Sequence, residues 1–205
     1  MNSWSKADCG VLALRIDSVE FIGSSRSLEW LPEFILPEVV FAGRSNVGKS
    51  SLINCLVQRK GLAQASSTPG RTRSINFYKL NDSICLVDLP GYGYSKASKA
   101  IQAQLAPLVE NYLSSGRPRL CVSLVDCRRP PEESDVNLWE WLIAHGVPFI
   151  VAATKADKIK RSKHPLAIRD VTSAAEGIEN SQVILFSSKT GMGRMELLKR
   201  ICLDN

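Results

Sequence analysis

Histidine is nearly absent: His145 and His164 are the only two in 205 residues. One follows a helix-like segment and the other precedes Pro165, so neither has the neighbours that a metal ligand or a general base needs. Cysteine occurs without a metal-type pattern. Cys9, Cys55, Cys85, Cys121, Cys127 and Cys202 show no paired spacing, and four of them sit inside apolar runs where a thiol behaves as a small hydrophobe. No apolar run reaches the length of a membrane span, and the N-terminus mixes Trp4, Lys6, Asp8 and Cys9 in place of a basic start and an apolar run. Neither a secretory leader nor a membrane partner is expected, and the chain reads as cytoplasmic. Aromatics make up 7% of the residues and no aromatic-interleaved RNA module is present, so any contact with RNA would run through shape and phosphates. There is no internal repeat and no low-complexity tract.

What the chain does contain is enough apolar material, 44%, for the full core of one α/β domain. Strand patterns fall at Val39–Ala42, Ser74–Leu80, Ser83–Leu89, Leu120–Asp126, Phe149–Thr154 and Gln182–Ser187. Helical patterns fall at Ser50–Gln58, roughly Ser98–Leu113, Asp135–His145, around Lys163–Ser173, and Arg194–Cys202. This alternation predicts a doubly wound, mostly parallel six-stranded sheet with helices on both faces. The short link through Asn81-Asp82 is a hairpin signal, so one edge strand runs antiparallel. Residues 36–205 make up this domain, and residues 1–35 are expected as an extension that packs on the core through Val19-Glu20-Phe21-Ile22 and Trp30-Leu31.

The run Gly43-Arg44-Ser45-Asn46-Val47-Gly48-Lys49-Ser50 has the spacing of a phosphate-binding P-loop, placed between a strand pattern and a helix pattern. Its glycines let the backbone curl so that N–H groups point at phosphates, Lys49 adds a cation near the β- and γ-phosphates, and Ser50 presents a hydroxyl to Mg²⁺. The helix N-terminus contributes its positive end. Asp88-Leu89-Pro90-Gly91 then closes the strand Ile84-Cys85-Leu86-Val87, where the Asp88 carboxylate can hold a Mg²⁺-bound water and the Gly91 N–H can meet the γ-phosphate.

Thr154-Lys155-Ala156-Asp157 follows the strand Phe149-Ile150-Val151-Ala152-Ala153, and its carboxylate can accept from the guanine N1–H and exocyclic amine. Adenine offers no such pair of donors, and a site built on substrate hydrogen bonds rejects an analogue lacking them by roughly four or five orders of magnitude. Phe186-Ser187-Ser188-Lys189 can bring backbone N–H groups to the guanine O6. Between the phosphate segments, Thr68-Pro69-Gly70-Arg71-Thr72-Arg73 leads into the strand beginning at Ser74 and is the place for a first switch. Thr72 is the candidate to reach Mg²⁺ when the γ-phosphate is present, with Thr68 as its competitor. Tyr92 stands where many GTPases hold a water-orienting glutamine, which predicts slow intrinsic hydrolysis. A P-loop kinase would need an acceptor pocket and a lid, whereas this chain has a guanine motif.

In this order the segments resemble those of the Ras-like GTPase class from Val39 to the C-terminus. GRSNVGKSSLIN, TPGRT, NFY, DLPGYGY, TKAD and FSSKTGMG narrow the resemblance to the EngB/YsxC/YihA group of bacterial GTP-binding proteins, within the TrmE–Era class. Thr154 in place of the usual Asn is common in that group. The resemblance implies a GTPase that binds GTP and GDP with Mg²⁺ as a monomer. It also implies a role in assembly of the large ribosomal subunit, with ribosomal RNA and proteins as partners, and a link to cell division and septation. The competing reading is a nucleotide-gated interaction module acting in division without the ribosome. Membership of the TrmE–Era class further implies that Asn46 helps hold K⁺ beside the phosphates, against the alternative that it braces the loop. The net charge of +6 rests largely on Arg117, Arg119, Arg128, Arg129, Lys158, Lys160, Arg161 and Lys163, which are either solvated surface or a shared face for ribosomal RNA.

Overall fold

The computed structural model describes residues 15–33, 36–63, 74–92 and 107–203. Strands run at Val19–Ser25 (β1), Glu38–Gly43 (β2), Ile75–Leu80 (β3), Ile84–Asp88 (β4), Pro118–Asp126 (β5), Phe149–Thr154 (β6) and Val183–Leu185 (β7). They form one sheet in the order β1-β3-β4-β2-β5-β6-β7. The pairs β2–β4, β2–β5, β5–β6 and β6–β7 are parallel, while β3 pairs antiparallel with both β4 and β1.

Strands β2, β4 and β6 are buried along their whole length, as strands covered on both faces must be. Successive side chains alternate between two cores. Val40, Ala42, Val87, Cys121, Val151 and Ala153 face one way and meet Tyr112, Leu113, Trp139, Leu142, Ala167 and Val171 from the helical stretch 107–113 and the helices Glu133–Ala144 and His164–Thr172. Val39, Phe41, Leu86, Val122, Leu124, Ile150 and Ala152 face the other way, against Leu52, Ile53, Leu56, Leu197, Leu198 and Ile201 of the helices Lys49–Leu56 and Arg194–Leu203. The doubly wound α/β arrangement with its antiparallel edge is thus present. Among the described residues, no helix is long and apolar enough to cross a membrane. Burial pushes the Cys85 and Cys121 thiols up to about 12, in keeping with their place as core hydrophobes.

Among the described residues the sheet has seven strands where the sequence pattern predicts six. The additional strand is β1, which lies outside β3 and belongs to the stretch read as an extension. Its pairing shifts register between Phe21 and Gly23, so its burial does not alternate and the period-2 signal of a half-buried strand is broken. The hairpin turn holds this edge in place. Asn81 and Asp82 both take positive φ, 50° and 53°, which is the type I′ geometry that matches strand twist. The Asn81 side chain then accepts from the N–H groups of Asp17 at 2.8 Å and Ser18 at 3.0 Å, fixing the entry into β1.

The turn after β7 makes the sharpest demand on a single residue. Gly193 has φ 75°, and a Cβ there would fall inside van der Waals contact of the Leu185 carbonyl oxygen. Gly193→Ala is expected to cost at least about 2 kcal/mol, combining the left-handed penalty with displacement of a strand carbonyl. Urea unfolding of the variant beside the wild-type chain measures it.

Candidate functional site

The carboxyl ends of the parallel strands converge at one edge of the sheet. Register pairs place Phe41 beside Asp88, Gly43 beside Leu124 and Asp126 beside Thr154. The P-loop springs from β2 and enters the helix Lys49–Leu56, with Asn46 and Gly48 at φ 64° and 109°. Gly48 is the helix N-cap and supplies no side-chain hydrogen bond, and the first turn carries no acidic residue. The N–H groups there are left without a side-chain cap, and with the dipole they favour an anion. Lys49 is buried at the same place, and its ammonium pairs with the Asp88 carboxylate. Loop, dipole and lysine together suit a polyphosphate.

Ser50, at the start of the helix, and Asp88, at the end of β4, bring a hydroxyl and a carboxylate to the part of the edge next to Lys49. They suit Mg²⁺, which is commonly held by one or two protein oxygens and completes its shell with phosphates and water. Among the described residues there is no cluster of three or more His, Cys, Asp or Glu side chains able to hold a metal by themselves. Asn76, opposite Asp88 in the β3–β4 ladder, donates from Nδ2 to Asp88 Oδ2 at 3.5 Å.

Gly91 lies directly on the P-loop: a Cβ there would sit 3.0 Å from Ser45 Oγ and 3.2 Å from Ser45 N. The next residue extends that contact through the backbone, with the Tyr92 N–H donating to the Gly43 carbonyl at 3.4 Å and the Ser45 N–H donating to the Tyr92 carbonyl at 3.2 Å. The Tyr92 ring turns inward, packs on the core and donates its hydroxyl to Asp135 Oδ1 at 3.1 Å.

Thr154, where most GTPases carry Asn, ends β6 with its hydroxyl 2.7 Å from the Val47 carbonyl and 2.9 Å from the Val125 carbonyl. It therefore ties the guanine motif to the P-loop. Lys155, at φ 61°, donates to the Asn46 carbonyl at 2.9 Å and to Asp126 Oδ2 at 2.9 Å. Asp157 accepts from the Ser187 hydroxyl at 2.7 Å, and that bond holds its carboxyl below the ordinary value. The fully buried Ser187 also accepts from the Thr190 N–H at 3.2 Å, while its own N–H donates to the Met192 carbonyl at 3.1 Å. With that N–H engaged, the donors left in this turn for a base oxygen are those of Ser188 and Lys189. Phe186 is buried, and its carbonyl accepts from the Ala156 N–H at 3.1 Å, joining the two guanine segments.

The sequence candidates Gly43 through Ser50, Asp88 through Gly91, Thr154 through Asp157 and Phe186 through Ser188 thus meet at one sheet edge, with Ser74 just before β3. Gly70, Arg71, Thr72 and Arg73 lie outside the described residues. The eight basic residues do not share one face. Arg117 pairs with Glu38, and Arg119 donates to the Ile201 carbonyl, both at the start of β5. Arg128 and Arg129, after β5, pair with Asp126 and Glu132. Lys158, Lys160, Arg161 and Lys163 are exposed just beyond the guanine motif, and among the described residues only Lys158 approaches a carboxylate, Asp157 at 3.9 Å. Asp126 and Asp135 are site-edge residues that no motif announces, while Asn76 opens the NFY segment without a role assigned to it; for Asp126 the available signal is an acidic residue closing a strand at the carboxyl edge.

Comparison with known proteins agrees with this geometry. Residues 38–155 match the family described as 50S ribosome-binding GTPase. The chain is 46% identical over 187 residues to a protein of Desulforapulum autotrophicum named "Probable GTP-binding protein EngB", covering 91% of this chain and 96% of that one. It is 47% identical over 190 residues to one of the same name from Pelotomaculum thermopropionicum, covering 92% and 96%. Among solved structures it resembles the crystal structure of a probable GTP-binding protein engB, with a TM-score of 0.67, 27% identity, and 82% and 97% of the two chains covered.

Asp126 offers a pH test of how the edge is braced. Burial pushes its carboxyl up, but hydrogen bonds from Arg128 and Lys155 outweigh this and hold it well below the ordinary value. A carboxyl whose folded pKa is depressed adds stability above its unfolded pKa and loses it as pH falls toward the folded one. Stability should therefore fall as pH drops below about 4, and Asp126→Asn should be less stable at neutral pH with a shallower decline in that acid window. Urea midpoints of both proteins at neutral pH and at successively lower pH read the difference.

Proposed function

The chain belongs to the EngB family of GTP-binding proteins, and from that membership we propose that this GTPase acts as a cytoplasmic, monomeric switch in assembly of the large ribosomal subunit, and through it in normal division and septation. The observation that carries the reading is the meeting of P-loop, Asp88 and Asp157 within one hydrogen-bonded edge. The contact with the ribosome is supported by the matched family's description and by the exposed cations of residues 158–163 beside the guanine motif.

In this reading the N–H groups of Gly43 to Ser50 hold the phosphates, and Lys49 exchanges the Asp88 carboxylate for phosphate oxygens. Ser50 and Thr72 would hold Mg²⁺. When bound, the ion would supply positive charge against the charge that develops on the phosphates. Gly91 presents its N–H to the γ-phosphate. Asp157, held by the Ser187 hydroxyl, accepts from the two guanine donors, and the N–H groups of Ser188 and Lys189 serve O6. Asn46 is exposed at the loop tip, where its side chain can face K⁺. Tyr92 is engaged with Asp135 and does not orient water, so intrinsic hydrolysis is slow and a partner completes the site.

Large subunits sedimented with the protein in a non-hydrolysable GTP analogue and in GDP, over a salt series, test the switch. Binding should be tighter by about five- to 150-fold in the triphosphate state, and should weaken as salt rises. Equal binding in both nucleotides would refute the switch, and a flat salt response would refute the basic contact.

A further inference from the structure

Half-buried Tyr92 and buried Asp135 form a pair that the triphosphate chemistry described above does not use. They are 43 positions apart in the chain, yet Tyr92 Oη donates to Asp135 Oδ1 at 3.1 Å. The other carboxylate oxygen, Oδ2, accepts from the Glu132 N–H at 3.1 Å, closing a capping box at the start of the helix Glu133–Ala144. Trp139 of the same helix is held in turn by Ser123, fully buried on β5, whose hydroxyl accepts from Trp139 Nε1 at 2.8 Å. A second link joins the same parts, the ion pair between Arg44 of the P-loop and Glu132. The start of the helix, the end of the DLPG segment and the first half of the P-loop are therefore one connected unit.

Such connection is costly to leave incomplete, since a buried carboxylate that loses its donor bears the full desolvation penalty. It also fixes a backbone. Tyr92 cannot shift without breaking its hydroxyl bond or its two main-chain bonds to Gly43 and Ser45, and Gly91 is held between Tyr92 and the Ser45 contact. We infer that Tyr92 and Asp135 are positioning residues that clamp the Gly91 N–H against the P-loop and thereby set how strongly the site prefers GTP to GDP. This rests on the reading in which Gly91 serves the γ-phosphate. The aromatic at the position of a water-orienting glutamine then has a task of its own: it replaces a mobile polar side chain with an anchor, fixing the γ-phosphate donor at the expense of water orientation.

The test measures affinity for a GTP analogue and for GDP in the full chain, with single-turnover hydrolysis alongside. Tyr92→Phe keeps the ring and removes the donor. It should weaken the analogue by about tenfold and lower the hydrolysis rate, while GDP affinity stays within about twofold. Asp135→Ala should do the same, and the double variant should be no worse than either single one, because the two act as a unit. Asp135→Asn retains an oxygen for the Glu132 N–H and an amide for the Tyr92 hydroxyl, so it should keep the wild-type preference. A general loss of packing would lower both affinities together and would not be rescued by Asn. Wild-type discrimination that persists unchanged in folded Tyr92→Phe overturns the clamp while leaving Gly91 in place. A wild-type chain that binds the analogue and GDP equally overturns both the clamp and the γ-phosphate reading beneath it.

Discussion

A loop that turns its N–H groups toward an anion turns its carbonyls the other way, and those carbonyls need donors of their own. Much of the architecture around the P-loop answers that requirement. The Gly43 carbonyl accepts from Tyr92, the Arg44 carbonyl from Val47, the Asn46 carbonyl from Lys155, the Val47 carbonyl from Thr154 and the Gly48 carbonyl from Leu52. Three of these donors belong to segments far away in the chain that carry the other nucleotide motifs. Holding the loop open for phosphate and bringing the DLPG and TKAD segments to it are therefore one structural act.

Charge follows the same plan. Lys49 and Asp88 are both buried and answer each other across the space where strand β2 meets β4, so neither charge is left alone in the low-dielectric interior. Asp126 is answered by Arg128 and Lys155. Lys155 serves the loop carbonyl and the Asp126 carboxylate at once, which makes it a strut between two strand ends as well as part of the guanine motif. Thr154 does similar work with a single hydroxyl lying between two carbonyls, on β5 and on the P-loop.

The parts of this arrangement that obey a local spacing were legible in the sequence. The P-loop, the strand-ending Asp88 and the TKAD segment depend on runs of four to eight residues, and the two-sided burial of β2, β4 and β6 shows as continuous apolar runs. The parts that depend on pairing across the fold were not. Strand β1 carries a register shift that erases its alternation. Ser187 reads as a backbone donor to a base, whereas its N–H faces Met192 and its hydroxyl faces Asp157. Tyr92 reads as a missing glutamine, and its partner lies on a helix that nothing in the motif mentions. The basic residues read as either solvated surface or a shared face, and the sequence does not show that the nine-residue strand β5 separates Arg117 and Arg119 from Arg128 and Arg129.

The central claim is that this edge reads guanine through Asp157, and an exchange of base preference tests it most directly. Asp157→Asn presents a donor where the carboxylate accepted, so GTP and GDP should bind at least roughly tenfold more weakly while xanthosine nucleotides bind more tightly than to the wild-type chain. A gain for xanthosine cannot arise from unfolding. Unchanged GDP affinity in that variant, or weakened guanine binding with no gain for xanthosine, would contradict the account.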